Sequence, residues 1–395
     1  MVSGFIIADN RMMAQSSILL LFCKNWARFS FVARTFGLLL CSESSMNMDR
    51  RNAVKAAVGA ALLPLFMGRE ADAAEPVLIK TPVNVVVPRG YVPPVNGRAA
   101  KNYQWRLARA VLDYAQDHYS GRNIPVWRTR LENVDLEKRV VNIVYWIMRG
   151  CAENVDIHPV DPAWVAAQIM AESFFYEFAV SWALAVGVCQ FIAPTARGYG
   201  MLTAGDKPEH GAPPYDMHEK ADQIARYYDI RGQWKQARRA RRMLGEKDEM
   251  LKKSLQAAAR GEPLPEAAAY IKASDRIDSL DAEVKDARAK SREYLRANFE
   301  GRSIFDPQDL EFLIGFDERV TYNKPVRSMC RMLAEHLAAR NGNIIAAAAG
   351  YHAGLGSTRD PNRIYAPYGR LPAYESTVGY ISHVFINHHE IVKRI

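Results

Sequence analysis

One glutamate has a setting in which its type could do chemistry. Glu172 follows the apolar residues Trp164, Val165, Ala167, Ile169 and Met170 and is succeeded by Ser173 and Phe175. A carboxyl held against apolar neighbours resists ionisation, because charge is costly where water is excluded, and its pKa can rise toward ~6. Such a group still carries a proton to donate near neutral pH, and once it has donated it becomes a base that can take one back. A glutamate near a helix end is more commonly a solvated surface residue, so the reading rests on its company. The nearest other acid, Glu177, reads as an exposed loop residue. Glu375 lies far along the chain, beside Ser376.

Three blocks follow Glu172-Ser173 in order. The first contains Ala179-Val180-Ser181, then Gly187-Val188-Cys189-Gln190 with Phe191 and Ile192, then Thr195-Ala196. The second is Ala349-Gly350-Tyr351-His352-Ala353-Gly354-Leu355-Gly356, and the third is Ser376-Thr377-Val378-Gly379-Tyr380-Ile381. Together they resemble the soluble lytic transglycosylases, whose pattern runs ES, AVS, GLMQ and TA, then AYNAGPG, then ETxxYV. The spacing from Glu172 to Gln190 matches that pattern without a gap, and the resemblance spans Trp164 to Val384.

That resemblance implies a mainly α, lysozyme-like helical domain that cleaves the bond between N-acetylmuramic acid and N-acetylglucosamine in peptidoglycan. Glu172 would protonate the leaving oxygen and then accept the proton of the muramyl 6-hydroxyl, which closes a 1,6-anhydro ring without consuming water. A single carboxylate suffices where ordinary glycosidases use a flanking pair, because the neighbouring acetamido group can stabilise developing positive charge. By the same resemblance Ser181 and Tyr380 orient Glu172, Gln190 and Ile192 reach the glycan, and Tyr351 and His352 line the path of the reacting sugar. No cofactor or metal is implied. Departures from the pattern are Tyr176 for Asn, Glu177 for Pro, Leu184 for Gly, Cys189 for Met, Ala193 for Pro, His352 for Asn and Ser376 for Glu.

The elements that must position these residues read as helices. Trp105, Leu107, Ala110, Val111 and Tyr114 recur at helical spacing between Asn102 and His118, and Val140, Ile143, Val144, Trp146 and Ile147 do so between Leu136 and Ala152. Asp161-Pro162 is a helix start, a capping carboxylate followed by a residue with no amide hydrogen to satisfy. The helix it opens is apolar nearly throughout and is expected to be buried. Further helical patterns cover Leu310 to Phe316, Val326 to Arg340, Ile344 to Ala349 and Ser376 to about Val392, and no strand-type alternation stands out.

Between these patterns the composition shifts to charged residues and alanine. Ile277, Leu280, Val284, Ala287, Ser291 and Tyr294 step by three and four residues, a coiled-coil seam, and Gly261-Glu262-Pro263 breaks the run. An antiparallel helical hairpin over residues 205–299 is therefore expected, inserted into a domain formed by residues 100–204 and 300–395. Its cluster of Lys235, Arg238, Arg239, Arg241 and Arg242 reads as a solvated helix face rather than a nucleic-acid site, since no stacking aromatics interleave with it. The hairpin is instead a candidate surface for a protein partner.

A chain of 395 residues with 49% hydrophobic content can bury a sizeable core, which excludes disorder throughout. A net charge of +9 and a pI near 9.2 fit attraction to an anionic polymer or surface. Arg50, Arg51 and Lys55 precede an apolar run from Ala56 to Met67 and the small residues Ala71, Ala73 and Ala74, the order of a secretory leader over 48–74, of general or twin-arginine type. Residues 1–47 then read as an extension upstream of the true start, and the proline-rich 75–99 as an extended linker. Export to the periplasm or cell envelope leaves Cys151, Cys189 and Cys330, with no metal-ligand spacing and with one disulfide, Cys151 to Cys330, open to formation. The apolar runs are too short for a membrane span. Two other readings stand beside the transglycosylase: a murein-binding scaffold of weak activity, and a lysozyme-type hydrolase.

Overall fold

The computed structural model describes residues 93–206 and 217–395, which fall in one compact unit. The proposed leader, the upstream extension and most of the linker lie outside the described residues. The chain is mainly helical, and the described residues contain no strand, only three isolated bridges. In chain order the helices are α1 (Gly97–Tyr119), α2 (Leu136–Glu153), α3 (Pro162–Ser173), α4 (Ala193–Gly198), α5 (Met217–Met243), α6 (Lys247–Arg260), α7 (Pro265–Phe299), α8 (Pro307–Phe316), α9 (Asn323–Ala339), α10 (Ile344–Ala353) and α11 (Glu375–Val392).

Each amphipathic stripe becomes a packing face. Leu107, Ala110, Val111 and Tyr114 of α1 are buried, as are Val140, Ile143, Val144 and Ile147 of α2. Trp105 departs from expectation and is 62% exposed. Two positions before Leu107 is about 200° around a helix of 3.6 residues per turn, which puts Trp105 on the solvent side. The capping carboxylate of Asp161 accepts from the Ala163 amide at 2.9 Å, and every residue of α3 from Pro162 to Met170 is buried. A helix apolar all round has no face to offer water, so it must run inside. Helix α3 packs on α2 and α11. Around it the pairs α1–α2, α2–α9, α9–α10, α10–α11 and α11–α1 close a ring. Cys151 of α2 and Cys330 of α9 meet there as free thiols with sulfurs 3.9 Å apart, so the disulfide considered from sequence is not formed.

The charged segment folds as three helices rather than two. Gly245, at φ +119°, ends α5 early, and Gly261, left-handed at φ +67°, caps α6. Helices α5 and α7 pack along their length and run antiparallel: Ser291 Oγ donates to the Gln223 carbonyl, and Arg276 Nη2 reaches Gln233. All six seam residues, from Ile277 to Tyr294, are buried. The basic cluster does have aromatic company, since the Arg238 guanidinium lies 4.6 Å from the Trp234 ring and that of Arg241 lies 5.8 Å from Tyr270. No described helix is long and apolar enough to cross a membrane.

A buried ion pair fastens the segment that follows α3. Arg319, 2% exposed, bonds Asp317 through Nε at 2.8 Å and Nη2 at 2.5 Å. Its Nη1 donates to the Leu184 and Phe191 carbonyls at 3.3 and 3.1 Å. Gly187 lies against the same turn with φ +84°, and a Cβ there would sit 1.8 Å from the Arg319 carbonyl oxygen. Substitution Gly187→Ala is therefore expected to force this contact apart. The variant should lose on the order of 3 kcal/mol or more, read as a drop in melting temperature, from combined backbone strain and overpacking.

Candidate active site

The end of α3 is where the first motif begins. Trp164, Gln168 and Glu172 follow at four-residue steps and so share one face. Ser173 Oγ donates to the Val188 carbonyl at 2.9 Å, tying the helix end to the loop beyond. The chain then turns through two successive left-handed residues, Phe174 at φ +50° and Phe175 at φ +60°, both fully buried. Left-handed backbone costs roughly 1 kcal/mol or more at a non-glycine residue, which the burial of two aromatic rings offsets.

The loop from Ala179 to Phe191 is bound mostly to itself. Isolated bridges join Val180 to Val186 and Val186 to Phe191. Ser181 Oγ accepts from the Ala185 amide at 2.9 Å. Gln190 Nε2 donates to the Ala179 and Gly187 carbonyls at 3.2 and 2.9 Å. Leu184 and Gln190 also take positive φ, +61° and +50°. Both polar side chains expected near Glu172 and the glycan are thus engaged with loop backbone, and Ile192 is half-buried at the start of α4.

Other predicted residues do converge on Glu172. Part of its side chain still reaches solvent, yet burial pushes its carboxyl from the ordinary 4.5 up to about 7, with the Tyr380 hydroxyl acting in the opposite direction. Tyr380 on α11, Tyr351 on α10 and Cys189 in the loop are held well above their usual values by burial, and each feels the Glu172 charge. Tyr351 fixes its ring by donating to the Cys189 carbonyl at 2.6 Å. His352 stacks on Tyr380 with centroids 4.6 Å apart, and its Nδ1 lies 3.2 Å from Thr377 Oγ1. Partial burial lowers its pKa, which keeps the imidazole neutral at neutral pH.

Glu177 is not the exposed loop residue its sequence position implied. It is 0% exposed and doubly bonded by Arg139, Nε to Oε2 at 2.8 Å and Nη2 to Oε1 at 2.7 Å, with Tyr322 Oη at 3.4 Å. A carboxylate so fully neutralised braces the loop and is committed to that pair. Glu375 is exposed in the first turn of α11. The residues that sequence reasoning passed over are Arg139, Arg319 and Gln168. Only Gln168 had a local signal, a lone amide inside an apolar helix.

Among the described residues no group of three His, Cys, Asp or Glu side chains is placed to hold a metal ion. Two surface recesses, of about 420 and 470 Å³, are lined by residues of α1, α2 and adjoining loops, and neither includes Glu172. Comparison with family models, with curated proteins and with solved structures returns no match.

The raised pKa has a consequence for stability. The unfolded chain releases the Glu172 proton near 4.5 and the folded chain near 7, so between those values the folded state holds more protons and stability falls as pH rises. Replacing Glu172 by Gln should remove this loss. Relative to the parent, the variant is expected to gain stability from about pH 5 to about pH 8, by at most on the order of 3 kcal/mol, measured by denaturant unfolding at each pH.

Proposed function

We propose that the chain is an exported lytic transglycosylase of lysozyme-like fold, in which α1–α4 and α8–α11 form the catalytic bundle and α5–α7 a helical insertion. The observation that carries the reading is the Glu172 carboxyl, poised near neutral pH at the end of a buried helix and ringed by Tyr380, Tyr351 and Cys189. An acid that must first give and then regain one proton works best with a pKa close to the working pH. Leu184 adds support: it takes the left-handed backbone natural to glycine, at the position where the resembled family commonly has glycine.

In this reading Glu172 protonates the oxygen between the muramyl C1 and the leaving N-acetylglucosamine, and that bond breaks. The muramyl 6-hydroxyl attacks C1 and yields its proton to the Glu172 carboxylate, restoring the acid. Tyr380 holds the carboxyl, and His352, exposed and neutral, offers a hydrogen bond to an acetamido group. Ser181 and Gln190 contribute by keeping the loop in shape. The partner is the glycan strand of peptidoglycan, and the site of action is the periplasm or cell envelope.

Purified protein incubated with peptidoglycan sacculi tests this by mass spectrometry of the released fragments. The expected products end in 1,6-anhydro-muramyl groups, and Glu172→Gln should lower their release by about 10²–10⁴-fold while the fold is retained. Reducing ends would instead identify a hydrolase. Binding without any cleavage across pH would identify a scaffold.

A further inference from the structure

Gln168 is a primary amide in the middle of an otherwise apolar helix, and it is 0% exposed. A buried amide costs free energy unless its bonds are made, and a methionine or leucine would fill the same space without that cost. Its two ends have different neighbours. Oε1 accepts from Trp164 Nε1 at 3.1 Å. Because the indole N–H can only donate, this contact fixes which end of the amide is oxygen and turns Nε2 the other way. Nε2 is buried with no hydrogen bond of regular geometry, and so is the Tyr380 hydroxyl. Helix α11, which carries Tyr380, packs on α3; burial raises the Tyr380 hydroxyl, the Gln168 amide works against that rise as a donor does, and the same hydroxyl acts on Glu172.

We infer that Gln168 is a positioning residue for Glu172: by giving a hydrogen to the Tyr380 oxygen it leaves the tyrosine hydrogen only one direction to point, toward the Glu172 carboxyl. The polarity runs one way, from Trp164 N–H to Gln168 Oε1, from Gln168 N–H to Tyr380 Oη, and from Tyr380 O–H to Glu172. Two members of the α3 face, Trp164 and Gln168, thus serve the carboxyl of the third. The other titratable groups whose fields meet Glu172 are Tyr351 on α10 and Cys189 in the loop, and no charged side chain acts on it from α2 or α11. After burial itself, the orientation of one hydroxyl is then the main local control on whether the carboxyl holds its proton.

The assignment of Glu172 as proton donor comes from the proposed function, but the test reads its proton affinity without needing turnover. In the full chain, ¹³C NMR follows the Glu172 carboxyl through a pH titration. Gln168→Met is expected to raise its pKa by about half a unit or more, because a hydroxyl free to rotate stabilises the carboxylate less. Tyr380→Phe should raise it too, and Gln168→Met added to Tyr380→Phe should change nothing further, since the amide acts only through that hydroxyl. Trp164→Phe, which frees the amide to flip, provides a milder variant with a smaller rise if Gln168→Met does not fold. An unchanged titration in Gln168→Met, or in Trp164→Phe where that variant stands in for it, overturns the inference. So does an undiminished shift in the Tyr380→Phe background. Absence of anhydro products would sink the proposed function and leave this result standing. A flat titration with anhydro products intact would do the reverse.

Discussion

Everything at the site depends on α3 being buried from Pro162 to Met170. A helix so enclosed cannot rotate, and the one carboxyl it carries is held half-buried at its end. Three effects then compete at Glu172. Loss of hydration favours the neutral acid, and the negative end of the helix dipole adds to that. The Tyr380 hydroxyl favours the anion. Desolvation wins, and the carboxyl titrates near 7 instead of 4.5. A tyrosine is strong enough to hold the group in place and too weak to strip its proton. An arginine at the same spot would favour the anion far more strongly than a tyrosine does.

The backbone beyond α3 is costly to hold, and the structure offsets that cost at a distance. Four of the seven non-glycine residues with positive φ among the described residues are Phe174, Phe175, Leu184 and Gln190. Each disfavours its conformation by roughly 1 kcal/mol. The clamp is Arg319 with Asp317, a buried ion pair whose net contribution against an apolar replacement is small. Its value lies in geometry, because the guanidinium also reaches the Leu184 and Phe191 carbonyls and holds the middle of the loop in register with its end. Breaking the pair would strand a buried charge, on the order of 3–5 kcal/mol, so the loop is held by a penalty for leaving rather than a reward for staying.

What the sequence made legible was local. The cap at Asp161, the seam from Ile277 to Tyr294 and the apolar run before Glu172 each follow from spacings of a few residues, and each is realised. What it hid was pairing across distance. Arg139 and Glu177 are 38 residues apart, and Arg319 reaches Leu184 across 135, so neither partner announces the other. Trp105 deceived because a large ring scores as apolar wherever it stands on the helix, and Gly245 split the charged segment because one glycine at φ +119° outweighs the strong helix formers on either side.

The motif residues divide by what their polar atoms do. Ser181 and Gln190 spend theirs on the loop's own backbone, and Tyr351 spends its hydroxyl on the Cys189 carbonyl. Residues so engaged define the shape of the loop, while the Ser181 O–H and the Gln190 side-chain oxygen keep hydrogen-bonding capacity. Tyr380 differs, since its hydroxyl completes no regular bond within the protein even though it is buried. His352, stacked on that same ring, reaches the surface with one nitrogen near Thr377 and the other turned away from it. A buried hydroxyl is a cost unless its neighbours take it up, and the neighbours here are the Gln168 amide and the one carboxyl poised to exchange a proton.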